Sequence, residues 1–201
     1  PSTRKLINEF GTGYKNFKWV QYDAISYSAV IEANSICFGK AIIPDYNFRN
    51  ASLVVSVNAD FLGTWIAPVH FIPGYVSRRK PDNGEKKMLR HVHFESGMTL
   101  TGANADTRKK IKPSEEKIVL TDLYNKISER IGGAKLNSIT YKEDLSELAD
   151  NLVNSKGRSI IVSGTNNVDI QIIVNGINSL LGNYTECIDL NNNLNIASGI
   201  D

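Results

Sequence analysis

Three segments place polar residues where a short apolar run ends. Asn58 and Asp60 follow the run Leu53–Val57, residues 95–106 (ESGMTLTGANAD) follow a second run, and residues 163–167 (SGTNN) follow a third. In an open α/β sheet, ligands bind at the carboxyl ends of strands, where loops diverge and helix N-termini present free N–H groups. The sequence therefore predicts that any ligand-binding chemistry lies in these three loops.

Each of these loops also has a purely structural interpretation. Asn and Asp after a strand are common turn and helix-capping residues, so Asn58 and Asp60 fit caps as well as nucleotide contacts. Segment 163–167 has the small residues that can cradle a phosphate, yet it lacks the P-loop lysine and the three glycines of a dinucleotide-binding turn. The residues alone leave both interpretations open.

Residues that bind metals or attack substrates do not form a recognised pattern. His91 and His93 lie two positions apart, on one face of a predicted strand, and would bind a metal only if a third ligand converged. We interpret them as surface or internally hydrogen-bonded histidines. Cys37 and Cys187 are too distant in sequence to form a CxxC pair. With no GxSxG or HExxH motif present, we predict no catalytic residue and no metal site.

The composition is that of a folded protein with balanced charge. The chain has 201 residues and a mass of 22.2 kDa, and 41% of its residues are hydrophobic and 22% charged. This size predicts one compact domain, or two packed lobes of about 1–135 and 136–201. The net charge of +2 argues against a nucleic-acid partner. No stretch reaches the roughly 20 apolar residues of a membrane span, so we predict no direct span.

The apolar residues alternate between strand-like and helix-like spacing. This alternation predicts a layered α/β/α fold with a mostly parallel sheet. A capping-box pattern, Thr140 with Glu143, predicts that a helix begins directly after Thr140, with Gly157 as its stop, and the asparagine-rich segment 191–195 is typical of a turn or a fraying end. The predicted strands are 18–22, 53–57, 88–94 and 159–162, and the predicted helices are 25–38, 67–75, 114–131, 141–156 and 168–181.

Several phrases, taken together, resemble a known family. They are VQYDAISYSAVIEAN (20–34), FGKAIIPDYNF (38–48), LVVSVNADFLGTWIAPV (53–69), HFESGMTLTGANAD (93–106) and VDIQIIVNGINSLLGNY (168–184). They resemble the molybdopterin-oxidoreductase-like region of the large iron–sulfur subunit of bacterial alternative complex III, a quinol-oxidising complex of Bacteroidetes and related bacteria. More distantly, they are similar to the catalytic subunits of polysulfide, thiosulfate and tetrathionate reductases. The resemblance implies a lobe of the formate dehydrogenase/DMSO reductase type, here expected as an internal fragment of a longer chain.

The resemblance also implies a set of cofactor contacts. In the molybdenum enzymes, the matching positions hold a molybdopterin guanine dinucleotide. Carried over motif by motif, the candidates in this sequence are Asn58, Asp60, Glu95, Thr101 and Glu116.

Two departures from the molybdenum enzymes bear on these contacts. The relatives carry a Pro-Gly-Thr-Asp turn where this chain has PSEE at 113–116, and a glycine where this chain has Val57. A side chain in place of either glycine hinders close backbone approach to a phosphate. These departures favour a lobe that keeps the fold and has lost the cofactor.

The function implied by the resemblance is structural. We expect a cofactor-free molybdopterin-like domain, with electron transfer in iron–sulfur clusters that the parent chain carries outside this fragment. The implied partners are the rest of that subunit, cytochrome c-type subunits and a membrane quinol-binding subunit, on the periplasmic side of the inner membrane. The alternatives are the cofactor-holding lobe of an active molybdenum sulfur-compound reductase, and a nucleotide-binding module without a redox role.

Overall fold

A parallel four-stranded sheet forms the centre of the protein. The computed structural model describes residues 2–20, 24–80, 87–137, 140–194 and 196. The sheet consists of β2 (Leu53–Val57), β3 (Arg90–Glu95), β4 (Thr107–Lys110) and β5 (Ser159–Ser163), in the order β4-β3-β2-β5. All three neighbouring pairs are parallel. The predicted layered α/β fold with a mostly parallel sheet is therefore confirmed.

Helices cover the two faces of this sheet. Leu53, Val55 and Val57 point into one apolar cluster, formed with α5 (Glu116–Ile131), α6 (Ser146–Asn154) and α7 (Val168–Leu180). Val54 points into the opposite cluster, which contains the buried side chains of α3 (Pro68–Ser77). Because side chains alternate along a strand, a strand that lies between two helix layers is buried on both faces. All five of its residues are buried.

The remaining elements lie at the margins of these layers. Helix α2 (Ser28–Phe38) packs on α7, and α4 (Leu100–Ala103) is a single turn after β3. A second, two-stranded sheet pairs β1 (Pro44–Tyr46) with β6 (Ile188–Asn193) in antiparallel fashion. Helix α1 (Ser2–Gly11) has no buried residue. None of the helices in the described ranges is long and apolar enough to cross a membrane.

Side-chain amides close the outer edge of β5. Within the described residues no further strand pairs with this edge, yet all of β5 is buried. Asn178 of α7 accepts from the Ile161 N–H at 3.2 Å and donates to the Ile161 carbonyl at 2.8 Å. Asn183 accepts from the Ser159 N–H at 3.4 Å. The amides satisfy backbone groups that would otherwise be buried without partners, which explains why polar residues interrupt the apolar pattern of α7.

Most predicted elements are confirmed, with ends that agree or differ by up to three residues, except that α6 begins later than its predicted start. Three predictions are wrong. Residues 18–20 are not a strand, and the rest of that prediction, 21–22, lies outside the described residues. The capping box of Thr140 and Glu143 does not form: α6 begins at Ser146, whose N–H donates to Asp144 at 2.9 Å, while Glu143 pairs with Lys109.

The third wrong prediction concerns the asparagine-rich segment. Residues 191–193 are part of β6 rather than a turn, and Asn195 lies outside the described residues. Asn193 is opposite Pro44 in the antiparallel pair and accepts a hydrogen bond from the Ile43 N–H at 3.2 Å. Pairing with β1 therefore overrides a composition that is typical of turns.

The amide closure of β5 predicts a large stability effect of a single substitution. Asn178→Ala leaves both the N–H and the carbonyl of Ile161 buried without this partner, at a cost of roughly 1–3 kcal/mol for each group. The free energy of unfolding, measured by urea denaturation of the chain, should fall by at least the lower value. Asn154→Ala, at the exposed end of α6, is the matched control and should change it by less than about 0.5 kcal/mol. An equal loss of unfolding free energy in the two variants would show that Asn178 does not satisfy the outer edge of β5.

Candidate functional site

The five residues predicted from the sequence gather at the carboxyl-terminal edge of the sheet. Asn58 follows β2 directly, Asp60 lies two residues further on, and Glu95 is the last residue of β3. Thr101 lies in α4, and Glu116 begins α5. The structure joins these residues in three hydrogen-bonded groups.

The first group ties Asn58 to three neighbouring elements. Its backbone is left-handed, with φ at 47°, and its Oδ1 accepts from the N–H of Ser96, after β3, at 3.0 Å. Its Nδ2 donates to Oε1 of Glu116, and the hydroxyl of Thr165, after β5, donates to Oε2 of the same carboxylate. Asn tolerates the left-handed conformation better than most residues. One amide and one carboxylate thus join the ends of β2, β3 and β5 to α5.

A close backbone approach lies beside this group. The N–H of Gly164 donates to the carbonyl of Val57 at 2.9 Å, and a Cβ at position 164 would overlap the backbone carbonyl of Asn58. Only glycine fits there. The segment 163–167 singled out in the sequence therefore contributes the required Gly164 and also Thr165, a partner of Glu116 that sequence analysis did not identify.

The second group closes the loop after β2 on itself. The Asp60 carbonyl accepts from the N–H groups of Gly63, Thr64 and Trp65 at 2.8–3.0 Å. The Asp60 carboxylate accepts from the Thr101 N–H at 3.0 Å and from the Thr64 hydroxyl at 3.2 Å. The Thr101 hydroxyl in turn accepts from the N–H of Leu62 at 2.9 Å. Asp60 and Thr101 are thus reciprocal caps between this loop and α4.

The same loop ends in a strained residue. Ile66 has a φ of 55°, which is rare for a β-branched residue, and its N–H donates to the hydroxyl of Tyr27 at 2.9 Å. The Tyr27 hydroxyl donates to the Thr64 carbonyl at 3.3 Å. A tyrosine before α2 therefore holds the loop, a contact that no local pattern indicates.

The third group surrounds the fully buried carboxylate of Glu95. Its Oε2 accepts from the Thr99 N–H at 3.0 Å, the Thr99 hydroxyl at 2.7 Å and His93 Nε2 at 3.1 Å, and its Oε1 accepts from Arg108. A side chain at Gly102 would overlap this carboxylate. Burial raises the pKa of Glu95, but the hydrogen bonds from Arg108 and Thr99 outweigh burial and hold the pKa below its ordinary value. Glu95 is therefore ionised at neutral pH.

The two histidines of β3 are buried beside this carboxylate. His91 and His93 have no exposed surface, and both rings contact the Ser56 hydroxyl, at 2.8 and 2.5 Å. Burial, reinforced by His93 and Arg79, lowers the pKa of His91 to about 3. Burial also lowers the pKa of His93, although Glu95 acts in the opposite direction. Both rings are neutral and internally hydrogen-bonded, which confirms the second of the two interpretations from the sequence.

The polar side chains at this edge of the sheet are thus mostly hydrogen-bonded to other groups of the protein. Both carboxylate oxygens of Asp60, Glu95 and Glu116 accept hydrogen bonds from protein groups. In the part of the chain that the structure describes, no group of three His, Cys, Asp or Glu side chains is arranged to hold a metal ion. The arrangement is suited to fixing loops rather than to presenting a nucleophile or a base.

Comparison with known proteins gives no family assignment. No protein-family model matches the chain, and no curated protein matches it either.

Glu116 provides a direct test of the first hydrogen-bonded group. Glu116→Leu removes both acceptor oxygens, so the Asn58 amide and the Thr165 hydroxyl both lose their acceptor, and the free energy of unfolding should fall by roughly 1–3 kcal/mol. The control is Glu129→Leu in the same helix, where an exposed carboxylate pairs with Lys135, and the expected loss is below about 1 kcal/mol. Urea denaturation measures both. A Glu116→Leu chain as stable as the control would show that Glu116 does not join Asn58 to Thr165.

The buried histidines predict a pH dependence of stability. Because the folded pKa of each ring lies below the unfolded value of about 6.5, the unfolded chain binds more protons as the pH falls, and stability falls with it. Between about pH 6 and 4.5 the free energy of unfolding should drop by up to about 1.4 kcal/mol per pH unit for each histidine. Urea denaturation at several pH values checks this. His91→Asn should reduce the slope by about half, and an unchanged slope would contradict the assignment.

Proposed function

We propose that this chain is a structural, cofactor-free molybdopterin-like domain of a respiratory quinol:electron-acceptor oxidoreductase complex of the alternative complex III type. Electron transfer would take place in iron–sulfur regions outside these 201 residues. The partners would be those other regions of the subunit, cytochrome c-type subunits and a membrane quinol-binding subunit, on the periplasmic side of the inner membrane. The proposal combines the resemblance of the sequence phrases with the geometry of the carboxyl edge.

One observation carries the structural part of this proposal: the candidate dinucleotide contacts are bonded to the protein itself. The Asn58 amide and the Thr165 hydroxyl are both directed at Glu116. Asp60 is bonded to the backbone of Thr101. A ligand that used these groups would have to break bonds that join β2, β5, α4 and α5. Buried polar groups that lose partners cost free energy, which a ligand would have to replace bond for bond.

The residues present therefore do not fit a molybdopterin guanine dinucleotide. Val57, where the molybdenum enzymes carry glycine, is fully buried in the core between the sheet and α5, α6 and α7. In the turn at 113–116, the glycine position of the relatives is occupied by Ser114, which is exposed. Val57 and Ser114 therefore each place a side chain where the cofactor-binding relatives have glycine.

The metal content of the intact parent protein tests the proposed function. The protein would be purified from its native membranes, and molybdenum, tungsten and iron would be counted per chain. Iron without molybdenum or tungsten is the expected result. Molybdenum or tungsten at one atom per chain would refute the proposal and establish the cofactor-holding lobe of an active reductase.

Nucleotide binding by the 201-residue chain tests the third possibility. Because the contacts are already bonded internally, calorimetric titration with GDP should show no saturable binding up to about 1 mM, which corresponds to a binding free energy of only about −4 kcal/mol. Saturable binding that is lost in Asn58→Ala and retained in Asn154→Ala would establish a nucleotide-binding module instead. The Asn154 side chain is exposed at the end of α6, which makes it a suitable control.

A further inference from the structure

A continuous chain of hydrogen-bonding groups runs along β3, from Tyr75 beside the start of the strand to Glu95 at its end. Tyr75 Oη lies 3.1 Å from His91 Nδ1, and His91 Nε2 lies 2.8 Å from Ser56 Oγ. Ser56 Oγ lies 2.5 Å from His93 Nδ1, and His93 Nε2 lies 3.1 Å from Glu95 Oε2. The three β3 residues alternate along one face of the strand, and Ser56 of β2 joins their rings.

Burial makes the proton positions in this chain interdependent. Ser56, both histidines and Glu95 have no exposed surface, and Tyr75 is 3% exposed, so bulk water cannot replace a missing donor. The Ser56 hydroxyl has one proton and contacts two ring nitrogens. If it donates to one ring, the other ring must donate to it. The tautomer of His91 is therefore coupled to the tautomer of His93.

With Glu95 ionised, one arrangement satisfies every contact. His93 donates from Nε2 to the carboxylate, so its Nδ1 is bare and accepts from Ser56. Ser56 then accepts from His91 Nε2–H, and the bare Nδ1 of His91 accepts from the Tyr75 hydroxyl. All four hydrogen bonds point toward Glu95.

One added proton gives a second arrangement that is also fully satisfied. A neutral Glu95 donates to His93 Nε2, His93 donates from Nδ1 to Ser56, and Ser56 donates to His91 Nε2. His91 then donates from Nδ1 to Tyr75. The Tyr75 hydroxyl turns to the carbonyl of Asn104, which lies 3.2 Å away. One O–H bond forms on Glu95, and in each ring an N–H bond breaks at Nε2 and another forms at Nδ1, so the net gain is one proton from solvent.

We infer that these five groups form a two-state proton switch, in which a single proton gained at Glu95 reverses every hydrogen bond as far as Tyr75. The switch links the carboxyl edge, where Glu95 holds Arg108, to the opposite end of β3, where Tyr75 reaches Asn104. This inference rests on the geometry alone and does not depend on the proposed function.

Charged groups at both ends set the proton affinity of the chain. At the Glu95 end, Arg108 opposes uptake of the proton, while Asp60, near His93, favours it. At the other end, Arg79 and Asp106 form an ion pair beside His91 and act on it in opposite directions. Arg108 contacts Glu95 directly, so its charge is the main factor that keeps the proton-free arrangement in place at neutral pH.

Nitrogen NMR of the imidazole rings in the full 201-residue chain tests the switch, because bare and protonated ring nitrogens give separate signals. At neutral pH both rings should be protonated at Nε2 and bare at Nδ1. Arg108→Gln should raise the pH at which the rings change tautomer by about 1–3 units, since it removes the opposing charge. Arg90→Gln, a surface substitution on the same strand, is the control and should leave that pH unchanged.

Two outcomes of the same experiment would overturn the inference. In the Arg108→Gln chain both rings should change to Nδ1–H with one common midpoint, and separate midpoints would show that they are not coupled. A ring that takes a second proton to become imidazolium would show that Glu95 is not the acceptor.

Ser56→Ala removes the link between the rings. The tautomer of His93 should still change when Glu95 gains its proton, whereas the tautomer of His91 should no longer change with that of His93. Ser52→Ala, whose hydroxyl donates to the Arg158 carbonyl at 3.0 Å outside the chain of groups, should leave the coupling intact. Coupling that survives Ser56→Ala would also overturn the inference. The neutral-pH tautomers of the unsubstituted chain provide a test that requires no variant.

Discussion

The architecture depends on what happens where the central strand β2 ends. This strand is buried on both faces and paired on both edges, so the chain that leaves it must turn inside the protein, with its polar groups bonded to protein atoms. Asn58 makes that turn in a left-handed conformation and directs its amide at Ser96 and Glu116. Glu116 then reaches Thr165. The loops, the start of α5 and the approach of Gly164 are all arranged around this single residue.

Two different solutions place polar residues inside the core without leaving them unsatisfied. On the outer side of β5, the side chains of Asn178 and Asn183 take the positions that a neighbouring strand would provide. On the α3 side of the sheet, His91 and His93 are bonded end to end through Ser56. Both arrangements are fully bonded, which is the condition under which buried polar groups specify a unique structure rather than weaken it. The histidine chain can also satisfy all its groups with its hydrogen bonds in either of two directions, which the asparagine amides cannot.

At the carboxyl edge of the sheet, the side chains that commonly bind a ligand in such folds are bonded to one another. In an open parallel sheet, the strand ends and helix N-termini are where a ligand would bind. Here the side chains at these positions bind one another: Asp60 with Thr101, and Glu95 with Thr99 and Arg108. The same residue types that could hold a phosphate-bearing ligand therefore stabilise the lobe. This is the physical basis for proposing a structural role.

The sequence by itself determined the elements whose signals are local. The apolar run of β2, the spacing of α5 and α7 and the glycines that end helices are set by neighbours within a few residues, so these elements were predictable. The gathering of Asn58 and Glu95 also followed from the sequence, because parallel strands bring their carboxyl ends to one edge. Glu116 was a candidate only through the family resemblance.

Tertiary structure alone decided the polar strands and the partners of the buried side chains. β6 is a strand because it pairs with β1, about 145 positions earlier in the chain, although its asparagines favour a turn. His91 and His93 look like a possible metal pair until Ser56, 35 residues upstream of His91, is placed between them. No local pattern encodes these contacts, since hydrogen bonds between buried groups depend on which distant segments the packed core brings together.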